Sequence, residues 1–463
     1  MILFLALVLL QSSASFAQQK GFKIPLIRSP TSQSVSSFQS GDGITVMNQN
    51  DFAYTVKVSI GEEVFHLTLD TGSSDLWVIS NACQTSDCLN VARYSRAFST
   101  NLTISQIPFH IDYVTGSVSG LVASETVCLG LFQMFSQVFG LANSTQDIDF
   151  SGNANSGILG LAFPSEASMP GMTVLQSIFS GVSDSYFTIS LGSRLDSNSL
   201  SSFTVGQIES SQANSTSDFF AIPVSKAGAN NYDYWKIPLL YLTINSTRLP
   251  LSSSSVKGVD QASQIAVLDT GTTLILGPTR DVLMFWDILG PAARRNQMSG
   301  MWQVRCDKAV VVGFVLGQEN SYGEFLLDPA DISWEEGGSS DGWCLGGIQA
   351  NDKVDSGDWL LGDVFLRNVY SLYHAANSSS GPWIGLISTM NQTAALATFR
   401  QNRGPDLDSS LGLQIHAGFV SPSNRPSMMY TVSALCGFFG GAVLTITFLG
   451  VSRHGLRIRK RKE

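Results

Sequence analysis

Two short stretches of this chain follow one six-residue plan: Leu69-Asp70-Thr71-Gly72-Ser73-Ser74 and Leu268-Asp269-Thr270-Gly271-Thr272-Thr273. Each places a carboxylate directly after apolar residues, then a hydroxyl and a glycine, then two more hydroxyls. One Asp-Thr-Gly triplet is expected by chance at about 0.1 copies in a chain this long, and two in matching contexts at odds on the order of one in a million. A lone aspartate of this kind reads well as a turn residue closing a strand. A matched pair reads better as chemistry. Two carboxylates brought near contact cannot both ionise, so the pair holds one proton. One carboxylate can then take a proton from a trapped water while the other gives one to a substrate carbonyl oxygen. Gly72 and Gly271 let the backbone pass close to the carboxylates. Ser73 and Thr272 are placed to hydrogen-bond the outer carboxylate oxygens, and Thr71 and Thr270 to tie the two turns together. No metal and no cofactor is called for. The five histidines (His66, His110, His374, His416 and His454) lack H-E-x-x-H spacing.

The elements that must deliver these turns are mostly strands. Tyr54, Val56, Val58 and Ile60 alternate, Gly61-Glu62 turns the chain, and Phe65, Leu67 and Leu69 alternate again. Met172–Phe179 and Thr279–Ile288 are the better helix candidates. The chain also echoes itself. HLTLDTGSSDLWV returns as IAVLDTGTTLILG, and each is followed by an apolar-apolar-glycine element, ILGLAF at Ile158–Phe163 and LLGDVF at Leu360–Phe365. Gly160 lies 90 residues after Asp70, and Gly362 lies 93 after Asp269. Two copies of one plan predict two homologous lobes of a mainly β protein, at 51–225 and 226–388. With 44% hydrophobic and 14% charged residues, the composition excludes a disordered or coiled-coil chain.

The two triplets and their surroundings resemble the pepsin-like aspartic peptidases. In that family a tryptophan lies seven residues after the first aspartate, as Trp77 does, and a flap tyrosine lies 43 after it, as Tyr113 does, leading Val114-Thr115-Gly116-Ser117. GILGLAFP at 157–164 and WLLGDVFLRNVY at 359–370 are similar to the two strand elements that cross behind the aspartate loops. By spacing alone, Cys83 and Cys88 could pin a small loop, and Cys306 and Cys344 could clamp a hairpin. The resemblance implies Cys83–Cys88 and Cys306–Cys344 disulfides. It covers about Tyr54–Ile387.

The resemblance implies a bilobal fold with the active-site cleft between the lobes and Asp70 and Asp269 as the catalytic dyad. Tyr113 becomes the flap residue over the substrate, with Gly116 and Ser117 in its turn and Trp77 as its hydrogen-bond partner. Strand alternation places Thr68 on the side of Asp70 and Val267 on the side of Asp269, so both are expected to border the subsites beside the scissile bond. The implied activity is that of an aspartic endopeptidase with an acidic optimum and apolar residues flanking the cut. It would work as a monomer on an extended polypeptide of about seven or eight residues. The alternative is a non-catalytic binding or inhibitor protein on the same scaffold; such proteins typically lose an aspartate or the flap tyrosine, and Asp70, Asp269 and Tyr113 are all present. Departures from the family pattern are Ser156 in place of an aspartate, His374 after Tyr373, and the lack of a third disulfide. Phe22–Arg28 resembles the start of a propeptide, but only 25 residues separate Arg28 from Tyr54.

The ends of the chain carry targeting signals. Residues 1–17 read as a signal peptide and 18–50 as a short propeptide-like segment. Residues 389–427 read as a juxtamembrane stalk, 428–451 as a transmembrane helix and 452–463 as a basic cytoplasmic tail. The 428–451 run has no charge and would reach roughly 36 Å as a helix, against a bilayer core of about 30 Å. Six Lys/Arg follow it and only Arg425 closely precedes it, so the positive-inside rule puts the tail in the cytosol and the body outside. The expected setting is a type I membrane protein of the secretory pathway, the cell surface or a vacuolar or lysosomal-type compartment. Six sequons, at Asn101, Asn143, Asn214, Asn245, Asn377 and Asn391, fall on the outer side. The formal net charge is −9, and an acidic body with a basic tip excludes nucleic acid as a partner. Cys128 lies in an apolar strand-like stretch and reads as a buried, inert thiol. Gly338–Gly342 fits G-x-S-x-G, but reads as a hairpin loop between Trp334 and Trp343.

Overall fold

The computed structural model describes residues 21–30 and 52–405, apart from 90, 100, 115, 149–154, 194–198, 229–230, 257–262, 335–340 and 377–379. The predicted signal peptide, membrane span and basic tail, most of the propeptide-like segment, the stalk beyond 405 and the Asn377 sequon lie outside the described residues. Among the described residues no helix is long and apolar enough to cross a membrane.

Strand patterning decides the architecture. Three sheets form, of thirteen, eight and four strands. In the largest, the Glu63–Asp70 strand has Phe65, Leu67 and Leu69 buried in alternation and lies between Phe52–Ile60 and Gly157–Gly160. The Glu63–Asp70 and Gly157–Gly160 strands run parallel, with Asp70 beside Gly160. The second half repeats the arrangement. Gln264–Leu268 runs parallel to Trp359–Leu361, with Leu268 beside Leu361. The repeated glycines now have a physical reason. A Cβ on Gly160 would lie 2.6 Å from the Asp75 nitrogen, and one on Gly362 would lie 2.2 Å from the Thr272 oxygen. Each crossing strand passes so tightly under its aspartate loop that no side chain fits.

The two helix candidates form, at Val174–Gly181 and Thr279–Asp287. Thr173 and Gln176 close the first in a reciprocal capping box. Cys83–Cys88 and Cys306–Cys344 are both disulfide-bonded. Cys128 is half-buried on the Ser117–Leu129 strand, where burial pushes its thiol pKa up. Ser333–Trp334 pairs antiparallel with Trp343–Gly346; residues 338–340 of the G-x-S-x-G stretch lie outside the described residues.

Across the expected lobes at 51–225 and 226–388, Val369–His374 pairs with Tyr186–Ser190 and draws the end of the second half into the first-half sheet. The Phe22–Arg28 stretch, expected to begin a propeptide-like segment, is built into the same sheet. Phe22–Pro30 is a sheet strand between Ser201–Val205 and Phe52–Ile60, with Ile24 and Leu26 buried and Lys23 paired to Glu209 at 2.9 Å. One expectation needs correction: the stalk expected from residue 389 opens with a helix, Gln392–Arg403, that belongs to the body. Its Ala395 and Phe399, four apart, fall on one face and are buried, Phe399 against Ala309 and Ala330. Asn391 caps its start by accepting from the Ala394 amide at 3.0 Å, and Gly404 ends it at a φ of 87°. At its last turn the Arg403 guanidinium donates to the Ser333 and Cys306 carbonyl oxygens, beside the Cys306–Cys344 bridge.

Candidate active site

The two aspartate turns meet, and they are built as mirror copies. The Gly72 amide donates to Asp70 Oδ1 at 2.8 Å and the Ser73 hydroxyl to Asp70 Oδ2 at 2.5 Å. Across the cleft floor the Gly271 amide donates to Asp269 Oδ1 at 2.8 Å and the Thr272 hydroxyl to Asp269 Oδ2 at 2.6 Å. The threonines interlock. Thr71 N–H donates to Thr270 Oγ1 at 3.0 Å and Thr270 N–H to Thr71 Oγ1 at 3.1 Å. The Thr71 hydroxyl then reaches the Leu268 carbonyl at 2.8 Å and the Thr270 hydroxyl the Leu69 carbonyl at 2.6 Å. The roles expected of all six loop residues match this geometry. The glycines are required by approach: a Cβ on Gly72 would sit 2.4 Å from Asp269 Oδ1, and one on Gly271 would sit 2.4 Å from Asp70 Oδ1.

Burial and proximity set the charge state. Asp70 is 4% exposed and Asp269 7%. Loss of water and then the neighbouring Asp269 carboxylate push the Asp70 pKa up to about 7, against the opposing pull of the Ser73 and Gly72 donors. Burial likewise raises Asp269, which the donors from Thr272 and Gly271 offset. The pair therefore titrates as one unit that keeps a proton well above the usual carboxylate range.

Above the dyad, Thr103–Asp112 and Ser117–Leu129 form the flap hairpin, closed by the Tyr113 amide donating to the Gly116 carbonyl at 2.7 Å. Ser117 pairs with Asp112 in the hairpin and with Gln146 beyond it. Fully buried Trp77 donates its indole N–H to the Tyr113 hydroxyl oxygen at 2.7 Å. Burial and then the Asp70 charge raise the Tyr113 pKa, so the phenol stays protonated.

The two expected subsite walls part company. Thr68 is half-buried on the same strand face as Asp70. Val267 is fully buried, packed in register between Lys236 and Leu360, so it presents no surface to the cleft. Alternation identified its side of the strand but could not show that neighbouring strands cover it.

Two polar residues were missed. Asp75, three residues past the last glycine of its loop, accepts the Ser168 amide at 2.7 Å and the Met169 amide at 3.3 Å, and so ties the segment after the crossing strand to the catalytic turn. Asn155 donates from Nδ2 to Thr68 Oγ1 at 2.6 Å. A repeat search finds neither, because each has no counterpart in the other half. All five described sequon asparagines, Asn101, Asn143, Asn214, Asn245 and Asn391, are exposed.

Comparison with known proteins agrees with this geometry. Residues 53–382 match the family described as eukaryotic aspartyl protease. The chain is similar to chymosin of Ovis aries, with 30% identity over 355 residues that cover 75% of this chain and 86% of the relative. Pepsin A of Callithrix jacchus is 29% identical over 74% of this chain and 85% of its own. An aspartic protease of Phaffia rhodozyma is 30% identical over 74% and 78%.

Proposed function

Given that the chain belongs to the eukaryotic aspartyl protease family and is an aspartic endopeptidase, we propose that it cuts secretory-pathway or surface polypeptides from a membrane-tethered position. The observation that carries the mechanism is the pair of buried carboxylates, Asp70 and Asp269, set against each other's turns, an arrangement that favours one shared proton. A water between the carboxylates loses a proton to the ionised one and attacks the scissile carbonyl carbon. The protonated one gives its proton to the carbonyl oxygen, and the resulting diol collapses with proton return to the leaving amine. The Ser73 and Thr272 hydroxyls and the two glycine amides hold the carboxylates in plane throughout. Tyr113, fixed by Trp77, closes the flap and excludes water.

Activity requires one proton on the pair, so it falls as pH rises through about 7 and falls again in strong acid as the second carboxylate is neutralised. The apolar surface of half-buried Tyr113 and Ile158 supports apolar contacts beside the cut. Supporting the tether are the uncharged 428–451 run and its basic flank. Supporting an extracytoplasmic body are the two disulfides and the five exposed sequons. The complete dyad and flap disfavour a purely binding role.

The test is cleavage of a mixed peptide library between pH 3 and 8 by the purified chain in detergent, with and without pepstatin, beside Asp269→Asn. Acid-dependent cleavage, blocked by pepstatin and absent in the variant, is expected. A rate that stays maximal above pH 8 would overturn the shared-proton mechanism. For the tether, protease added to intact cells should remove the body and leave a small tail fragment; a protected body would mean the reverse orientation.

A further inference from the structure

The wall between the flap and Asp70 is not wholly apolar. Thr68 stands two residues before Asp70 on the same strand face and pairs in parallel with Ile158. Ile158 in turn pairs with Trp77, whose indole holds Tyr113. Thr68, Ile158 and Tyr113 are all half-buried, so together they present surface from the dyad up to the flap. Into this surface Asn155, only 3% exposed, is set with its Nδ2 on Thr68 Oγ1 at 2.6 Å and its Oδ1 accepting the Gly157 amide at 3.2 Å. A threonine hydroxyl has one proton to give and two lone pairs. Asn155 takes up a lone pair, and among the described residues no acceptor engages the hydroxyl proton. The result is a donor fixed in direction at the edge of the dyad.

We propose that Thr68 and Asn155 form the polar floor of one of the two pockets flanking the scissile bond. They select a substrate side chain with an apolar stem and an uncharged acceptor at its tip, namely glutamine or asparagine. The stem lies along Ile158 and Tyr113, and the tip carbonyl accepts the Thr68 hydroxyl proton. An ionised acidic side chain is excluded because it would face the charged dyad. A purely aliphatic side chain leaves the Thr68 donor without a partner, which a site built around a hydrogen bond rejects. Thr68 here touches substrate, whereas Asn155 acts through Thr68 as a positioning residue.

The inference rests on the endopeptidase reading, and one assay separates the two. The full-length chain in detergent is given a mixed peptide library, the residues on both sides of every cut are read, and matched peptides differing only as Gln or Leu follow. Enrichment of Gln and Asn at one flanking position is expected, with kcat/KM for the Gln peptide about tenfold above that for Leu. Thr68→Val, which keeps the shape and loses the hydroxyl, should erase the preference, and Thr68→Ser should retain it. Asn155→Leu should lower kcat/KM for the Gln peptide severalfold more than for the Leu peptide, a change of ratio that general loosening of the site would not produce. Pepstatin titration counts the folded sites in each variant. Library cleavage with Leu preferred on both sides, or equal losses on both peptides in Thr68→Val, would overturn the pocket and leave the peptidase standing. No pepstatin-sensitive cleavage of any peptide would instead overturn both.

Discussion

Replacing Asp70 with asparagine should stabilise the folded protein at neutral pH while destroying its activity. Folded Asp70 keeps its proton up to about pH 7, whereas an unfolded aspartate gives it up near 3.8. Between those values the folded chain binds the extra proton, so its stability falls as pH rises. The loss is absent below the unfolded value and complete above about 7. A shift of about three units is worth about 4 kcal/mol, spread at no more than about 1.4 kcal/mol per pH unit. Asparagine has nothing to titrate. It can still accept from the Gly72 amide, and its own amide can donate to Asp269, as the shared proton does now. Against wild type, Asp70→Asn should therefore show no advantage near pH 4 and a gain approaching about 4 kcal/mol by pH 7.5. Denaturant unfolding at half-unit pH steps, followed by the fluorescence of the eight tryptophans, measures this directly. Parallel pH curves for the two proteins would refute the claim that burial and the neighbouring carboxylate hold the Asp70 pKa up.

Three further outcomes are expected. Gly271→Ala puts a methyl 2.4 Å from Asp70 Oδ1, and the forced separation of the carboxylates should cost more than about 100-fold in kcat, read by steady-state kinetics. Tyr113→Phe removes the hydroxyl that accepts the Trp77 N–H, so kcat/KM should drop about tenfold and the unfolding midpoint should fall as well, read by steady-state kinetics and thermal unfolding. Phe399→Ala should cost about 3–5 kcal/mol locally. It should open the Gln392–Arg403 helix to trypsin at Arg400 and Arg403, seen by mass spectrometry, while peptide cleavage persists.

Much of the catalytic floor was legible because it is written twice. Duplication makes Asp70 and Asp269, their glycines and their hydroxyls each confirm the other, and the crossing-strand glycines follow from the same comparison. What exists once was harder to see. Asn155 works through a hydrogen bond to a residue 87 positions away, and no local period marks it. Val267 lies on the expected side of its strand, but whether it meets solvent depends on which strands cover it. The Gln392–Arg403 helix buries only two side chains, so its apolar stripe is too thin to stand out from a polar stalk. The sheet shared by Tyr186–Ser190 and Val369–His374 joins segments about 180 residues apart, where strand patterning is silent about partners.

The threonine interlock also bears on motion. Four hydrogen bonds cross between the loops at the one place where both halves of the chain meet the reacting atoms. If the halves rock against each other to admit a bulky polypeptide, the rivet of that hinge is the dyad itself. The mouth of the cleft would then widen while the interlock holds the spacing of the two carboxylates. Breadth of substrate and constancy of chemistry would then both rest on this interlock, and loosening it would surrender both.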